Sequence, residues 1–133
     1  TKISALKVDN GLDTGDIYLK EDFNISKGSA QENFTKLSNI VFDRMIPELL
    51  SSDLTPKKQI GNIVNFKRRT PEQSDINTLE TKSIHKLYDF IRMLDAEGYP
   101  RAFQELENLK IEYMNVEKKD NKLIGRFEII IND

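Results

Sequence analysis

Residues 9–16, Asp-Asn-Gly-Leu-Asp-Thr-Gly-Asp, place three carboxylates and two glycines in eight positions. Runs with strand character flank them. Ile3, Ala5, Leu6 and Val8 form a short apolar run broken by Ser4 and Lys7, and Ile17 and Leu19 alternate with Tyr18 and Lys20. Period-two alternation is the mark of a half-buried strand, so the segment predicts strand, tight loop, strand. Glycine admits positive φ and close backbone approach, which tight turns and ligand-facing loops both need. Such a loop gathers carboxylates without helix geometry. One reading is a solvated turn, since Asp and Gly are common turn residues. A calcium loop fits poorly, because position three is Gly11 and position twelve is Lys20 rather than a bidentate glutamate. No metal is expected.

The remaining chain sets the frame for this loop. Its 133 residues suffice for one domain with a modest core, and 38% apolar with 32% charged residues describes a polar-surfaced globular chain. A formal charge of −2 gives no global attraction to nucleic acid or anionic lipid. Cysteine is absent, which removes disulfides, thiolate catalysis and cysteine–zinc sites. No apolar run reaches the length of a membrane span and no signal peptide is legible, so the cytoplasm is the expected compartment and no membrane partner is expected.

Along the chain, residues 1–25 predict two strands around the acidic loop, with Phe23 and Ile25 extending the second. Ser29 with Glu32 forms a capping-box pattern, and Ala30, Phe34, Leu37, Val41, Met45 and Leu49 recur at helical steps. Their aromatic and methionine side chains are expected in the core, and Pro47 is expected to kink or end the helix. Residues 51–62 read as a loop, and Ile60, Ile63, Val64 and Phe66 as a short strand or turn entry. Lys67-Arg68-Arg69 is the dense basic cluster, either a solvated loop edge or a phosphate site built on arginine forks. A second helix is predicted over 83–97, with Ile84, Leu87, Tyr88, Ile91 and Leu94 as its buried stripe and Gly98 as its stop. Arg92 and Asp89 fall on its polar face, and His85, at the edge of the stripe, reads as structural or exposed. The tail predicts a hairpin or small barrel-like module, with a turn at Asp120-Asn121 and Leu123, Phe127, Ile129 and Ile131 on one strand face.

Three stretches together carry a resemblance. Gly11-Leu12-Asp13-Thr14-Gly15-Asp16-Ile17 is similar to the strand–loop–strand signature of the formyltetrahydrofolate-dependent formyltransferases. Arg68-Arg69-Thr70-Pro71-Glu72-Gln73-Ser74-Asp75-Ile76 resembles a downstream part of the same catalytic region. The run Ile84-His85, Ile91-Arg92 and Tyr99-Pro100-Arg101-Ala102-Phe103 comes next, in the family's order. Arg101 stands where the family usually has a small residue. The resemblance covers residues 1–103 well and the remainder weakly.

The resemblance implies an α/β fold, α+β within this stretch: residues 1–103 as the C-terminal part of a Rossmann-like formyltransferase catalytic domain, and 104–133 as a small β-rich module. It implies 10-formyltetrahydrofolate as formyl donor and an amine as acceptor. Asp13 would be the catalytic carboxylate, Gly11, Leu12, Thr14 and Gly15 would face the folate, and Arg68 and Arg69 would bind substrate. Asp9 and Asp16 would be structural or lie beside substrate. The family's catalytic Asn and His belong to an N-terminal half not seen here, so the chain is expected to be a fragment, inactive alone, with that half as partner. Self-association is also open. Residues 107–133 carry five basic and six acidic side chains. A transfer RNA footprint needs clustered lysine and arginine, so a nucleotide-linked amino sugar is expected as acceptor in preference to tRNA. The alternatives are a methionyl-tRNA formyltransferase-like enzyme and a non-catalytic binding module on the same scaffold.

Overall fold

The computed structural model describes residues 1–131, which group into two compact units. One comprises residues 1–27 and 33–66, the other residues 28–32 and the chain from 67 onward. The division inferred from sequence falls instead at 103/104, inside the strand β3 (Ala102–Leu106). The fold is mixed α/β with a small β-rich module at the C-terminal end.

In the first unit, β1 (Lys2–Leu6) pairs antiparallel with β2 (Ile17–Asp22), Lys2 opposite Asp22 and Ala5 opposite Leu19. The second strand stops short of the expected Ile25. Phe23 still donates its N–H to the Thr1 carbonyl at 2.9 Å. The Asn24 side chain then accepts from the Ser26 N–H at 2.9 Å, an Asx turn that draws the backbone out of the ladder.

The first helical stretch bears out the capping box. The Ser29 N–H donates to Glu32 Oε2 at 3.0 Å, and the Glu32 N–H to Ser29 Oγ at 3.2 Å, opening α1 (Ala30–Ile40). Pro47 does not end the helical path. A single π turn (Val41–Met45) precedes α2 (Ile46–Ser51), its Ile46 N–H reaching the Val41 carbonyl five residues back. Pro47 thus lies in the first turn of α2, where a missing N–H leaves no bond unmade, and the wide turn removes the ring from the carbonyl it would otherwise strike. The extra residue also rotates α2 by about a quarter turn relative to α1, which breaks the expected apolar stripe. Ala30 and Met45 are buried, but Leu49 lies at 36% exposure. Upstream, Asn33 takes the buried position and leaves Phe34 at 42%. The stretch around residues 60–66, expected as a short strand or turn entry, forms no strand, and Ile60, Ile63 and Phe66 are almost fully exposed.

The second unit packs α3 (Ile84–Arg92) against an antiparallel sheet of order β3, β4 (Leu109–Lys119), β5 (Lys122–Ile131). Ser83 caps α3, its Oγ accepting from the Lys86 N–H at 3.3 Å. The helix stops five residues before the expected end. Met93 is its C-cap, and the chain turns through Leu94 and Ala96, both 5% exposed, so burial continues without helix. Ile91, Leu94 and Ala102 form the core, joined by Ile76, Phe90, Tyr113, Val116 and Leu123.

Arg92 is not on a polar face. It is 6% exposed, donates from Nη1 to the Gly28 carbonyl at 2.8 Å and pairs through Nε with Asp89 Oδ1 at 2.7 Å. Asp95, 8% exposed, accepts from the Asn115 N–H at 2.7 Å through Oδ2, while its carbonyl accepts from the Gln31 N–H at 3.1 Å. Asn115 has φ of 50° and lies where the β4–β5 register slips between Met114 and Glu117. The Asp120-Asn121 turn closes that hairpin as expected, with Asp120 at φ 49°. Substituting Asp95→Ala leaves the Asn115 N–H without its acceptor, so a loss of about 1–3 kcal/mol in the second unit is expected by urea unfolding. Wild-type stability in that variant would show that water replaces the carboxylate without cost.

Candidate functional site

The acidic loop is built around Asp9. Its Oδ1 accepts from the Gly11 N–H at 2.9 Å and from the Thr14 hydroxyl, so the first carboxylate folds the loop back on itself. The base is closed by the Lys7 N–H on the Asp16 carbonyl at 2.8 Å. Gly15 packs directly on the strand below: a Cβ there would lie 1.6 Å from the Lys7 carbonyl oxygen, which no side chain can meet. Glycine is therefore required by close approach, as its place in the motif suggested.

Asp13 occupies the tip with φ of 55°, the left-handed region that aspartate tolerates better than most residues. Its carboxylate makes no hydrogen bond or ion pair among the described residues. Its backbone, in contrast, is fixed. Gln59 Nε2 donates to the carbonyls of both Asp13 and Gly15 at 2.8 Å, a clamp from the following loop. The antiparallel bridge Ile17–Lys57 holds that loop in place, with N–H to carbonyl distances of 2.8 and 2.9 Å. Leu12 beside Asp13 is 92% exposed. Gly11, Leu12, Asp13 and Thr14 thus form one surface in the first unit: a free carboxylate, an exposed apolar side chain and glycine backbone on a fixed frame, with Gly15 buried beneath them rather than presented to a ligand.

Gln59 was not legible as part of this site. An isolated glutamine in a polar loop, 44 residues beyond Gly15, carries no motif.

Arg68 and Arg69 belong to the second unit. The Arg69 guanidinium lies 5.1 Å from the Phe90 ring centroid and donates to the Gln73 carbonyl. Thr70 and Gln73 form a second capping box, in which the Thr70 N–H donates to Gln73 Oε1 at 2.9 Å. A cavity of about 550 Å³ opens beside them, lined by Arg68, Arg69, Ser74, Leu94, Tyr99 and Pro100. Ser74 is 1% exposed and its Oγ has no hydrogen-bond partner among the described residues. His85 is exposed, its Nδ1 3.0 Å from Lys118 Nζ. Arg101 pairs with Asp95 at 3.9 Å and Glu128 at 3.6 Å, so it joins the turn before β3 to the sheet. Among the described residues there is no group of three His, Cys, Asp or Glu side chains able to hold a metal, and no helix is long and apolar enough to cross a membrane.

The Thr14 hydroxyl first, and the Gly11 N–H second, hold the Asp9 carboxyl below its ordinary value of 3.8. A depressed carboxylate contributes order that is present above that value and lost as pH falls through the folded-state pKa. The Gly11 and Thr14 amide resonances are therefore expected to titrate with a midpoint below 3.8, and Thr14→Val is expected to move it upward. A midpoint unmoved by that substitution would remove Thr14 as the cause.

A sequence profile of the methionyl-tRNA formyltransferase C-terminal domain matches residues 71–130. The methionyl-tRNA formyltransferase of Rickettsia felis is 30% identical over 125 residues, covering 88% of this chain and 40% of its own. That of Thermodesulfovibrio yellowstonii is 24% identical over 121 residues, covering 88% and 38%. A solved structure of methionyl-tRNA formyltransferase from Clostridium thermocellum is 48% identical, with a TM-score of 0.92, over 99% of this chain and 57% of that one. The chain spans about two fifths of the length of the curated relatives it matches.

Proposed function

We propose that this chain, which belongs to the formyltransferase family and matches its C-terminal portion, is part of an enzyme that moves a formyl group from 10-formyltetrahydrofolate to the amine of methionyl-tRNA. The observation that carries the reading is the 48% identity with a methionyl-tRNA formyltransferase along nearly the whole chain. The amino-sugar acceptor expected from charge balance draws no support from these relatives, and the tRNA alternative fits them better.

The donor supplies the formyl carbon and, once that carbon is transferred, a leaving nitrogen that must gain a proton. As the acceptor nitrogen bonds to the formyl carbon it loses a proton, and Asp13 is the group in this chain suited to take it. Its fixed backbone sets the position of the carboxylate, and its lack of partners leaves both oxygens available. Leu12 and the glycine backbone at Gly11, with Thr14, suit the flat apolar body of a folate, while buried Gly15 supports the loop from beneath. The family's Asn and His would come from the rest of the enzyme. Donors toward the developing oxyanion would come with them. Arg68 and Arg69 would bind acceptor phosphate through their guanidinium forks, Arg69 being steadied by Phe90.

In the full-length enzyme, Asp13→Asn is expected to lower kcat by about 10²–10⁴ while leaving the fold intact. Near-normal turnover would remove Asp13 from the chemistry. Assays with methionyl-tRNA and with a nucleotide-linked amino sugar separate the acceptors, since formylation of the sugar alone would overturn the tRNA reading. The salt dependence gives a second check. Arg68→Ala is expected to raise KM for tRNA and to reduce the slope of log affinity against log salt by about one. An unchanged slope would place Arg68 away from phosphate.

A further inference from the structure

Asp13 and Gly15 flank Thr14 in the acidic loop, and one side chain from outside the loop holds the carbonyls of both. Gln59 Nε2 donates to the Asp13 carbonyl and to the Gly15 carbonyl, each at 2.8 Å, across 46 and 44 residues of sequence. An amide nitrogen carries two hydrogens, so both are engaged by this pair. With two carbonyls as partners, only the nitrogen end of the amide can face them, which fixes the orientation of the side chain. Few residues could take its place. A glutamate of the same shape would present acceptors to acceptors, and an asparagine is shorter by one methylene.

The backbone beneath Gln59 is itself anchored. Two residues earlier, Lys57 exchanges hydrogen bonds with Ile17 at 2.8 and 2.9 Å, and Ile17 opens β2 directly after the loop. Gln59 therefore ties the tip of the loop to the strand at its base. The tip needs such a tie, because Asp13 has φ of 55°, a backbone state that a non-glycine residue keeps only when its surroundings hold it there. Asp9 restrains the loop through the Gly11 N–H and the Thr14 hydroxyl, and neither bond reaches Asp13. Among the described residues, the bond from Gln59 is the one hydrogen bond made to Asp13.

We propose that Gln59 is a positioning residue for formyl transfer: by holding the Asp13 and Gly15 carbonyls, it keeps the Asp13 carboxylate where it meets the proton of the acceptor amine. The inference rests on the reading of Asp13 as proton acceptor and adds the residue through which that carboxylate is held. Gln59 acts through the backbone of Asp13 and takes no part in the bonds made or broken. A base displaced by about an ångström can lose on the order of 10²-fold in rate, so the clamp bears on kcat and not on substrate affinity.

A double-mutant cycle in the full-length enzyme, with 10-formyltetrahydrofolate and methionyl-tRNA, tests this. Gln59→Ala is expected to lower kcat about 10–100-fold, with KM for donor and acceptor changed by less than about twofold. Gln59→Glu, which keeps the length and removes the donors, is expected to lose at least as much. In the Asp13→Asn background, Gln59→Ala is expected to cost less than about twofold more, because the group it positions is already gone. Equal losses in both backgrounds overturn the proposal, since a general loss of fold would act on both alike. A Gln59→Ala enzyme of wild-type kcat, beside a slow Asp13→Asn enzyme, overturns it and leaves the Asp13 reading standing. Normal turnover by Asp13→Asn removes the Asp13 reading and the positioning role with it. A second readout needs no turnover. In Gln59→Ala, the Thr14 and Asp16 amide resonances, which belong to the two held peptides, are expected to shift and broaden while those of β1 and β2 stay in place. Loop resonances unmoved by the substitution overturn the proposal.

Discussion

The buried Asp95 carboxylate is the constraint on which the second unit depends. Its acceptance from the Asn115 N–H gives a partner to a donor at the register slip in β4, where the ladder with β5 has none to offer. The same residue's carbonyl receives the Gln31 N–H from the first turn of α1, and Arg101 approaches its other oxygen at 3.9 Å. Two segments distant in sequence, and the nearby turn at Arg101, are thereby fixed to the turn after α3. Arg92, one helical turn earlier, does the same with opposite charge, tying Gly28 to the helix through a buried guanidinium. Neither interaction need be a large net source of stability. Both make alternative packings costly, since each leaves a charged or polar group buried without its partner.

The acidic loop obeys a different rule. Its order is local and solvent-facing: one aspartate accepts from two donors within five residues, and a glutamine clamps two carbonyls from outside. The three carboxylates therefore divide their work. Asp9 is consumed in shaping the turn, Asp16 contributes its backbone carbonyl to the base, and Asp13 is left unengaged on a fixed main chain. Such a division lets a short exposed segment hold a carboxylate in position without burying it.

The features legible in the sequence are those that local chemistry decides. The Ser29–Glu32 capping box, the strands around the loop, the start of α3 at Ser83 and the Asp120 turn all depend on residues within a few positions. Features decided by tertiary context were not legible. Arg92 looked like a surface residue because its helical position borders the polar face, yet a carbonyl 64 residues away draws it inside. The π turn before Pro47 shifts the apolar register by one residue, which no periodic count of an ideal helix anticipates. Ile60, Ile63 and Phe66 read as a short strand or turn entry from composition alone, but they gain no ladder partner among the described residues. Within the site, the loop was legible as a unit because its parts are adjacent, and Gln59 was not because it is remote.

The charge balance that favoured an amino-sugar acceptor, which the relatives do not support, is a weak guide for a related physical reason. A footprint for a polyanion was sought as a net surplus over residues 107–133, where basic and acidic side chains nearly cancel. Counting net charge treats each side chain as free, whereas several in this segment are already paired: Lys110 with Glu112 at 2.7 Å, Lys119 with Glu117 at 3.6 Å, and Glu128 with Arg101, outside the segment, at 3.6 Å. Paired charges contribute little field beyond a Debye length, roughly 10 Å at moderate salt, so the sum says little about any one patch. A polyanion responds to where uncommitted cations stand. The cluster at Lys67, Arg68 and Arg69 lies outside the counted segment, and its guanidiniums border an open cavity. Under the tRNA reading proposed above, a few cations placed there would provide a small number of phosphate contacts, leaving the rest of the recognition to shape.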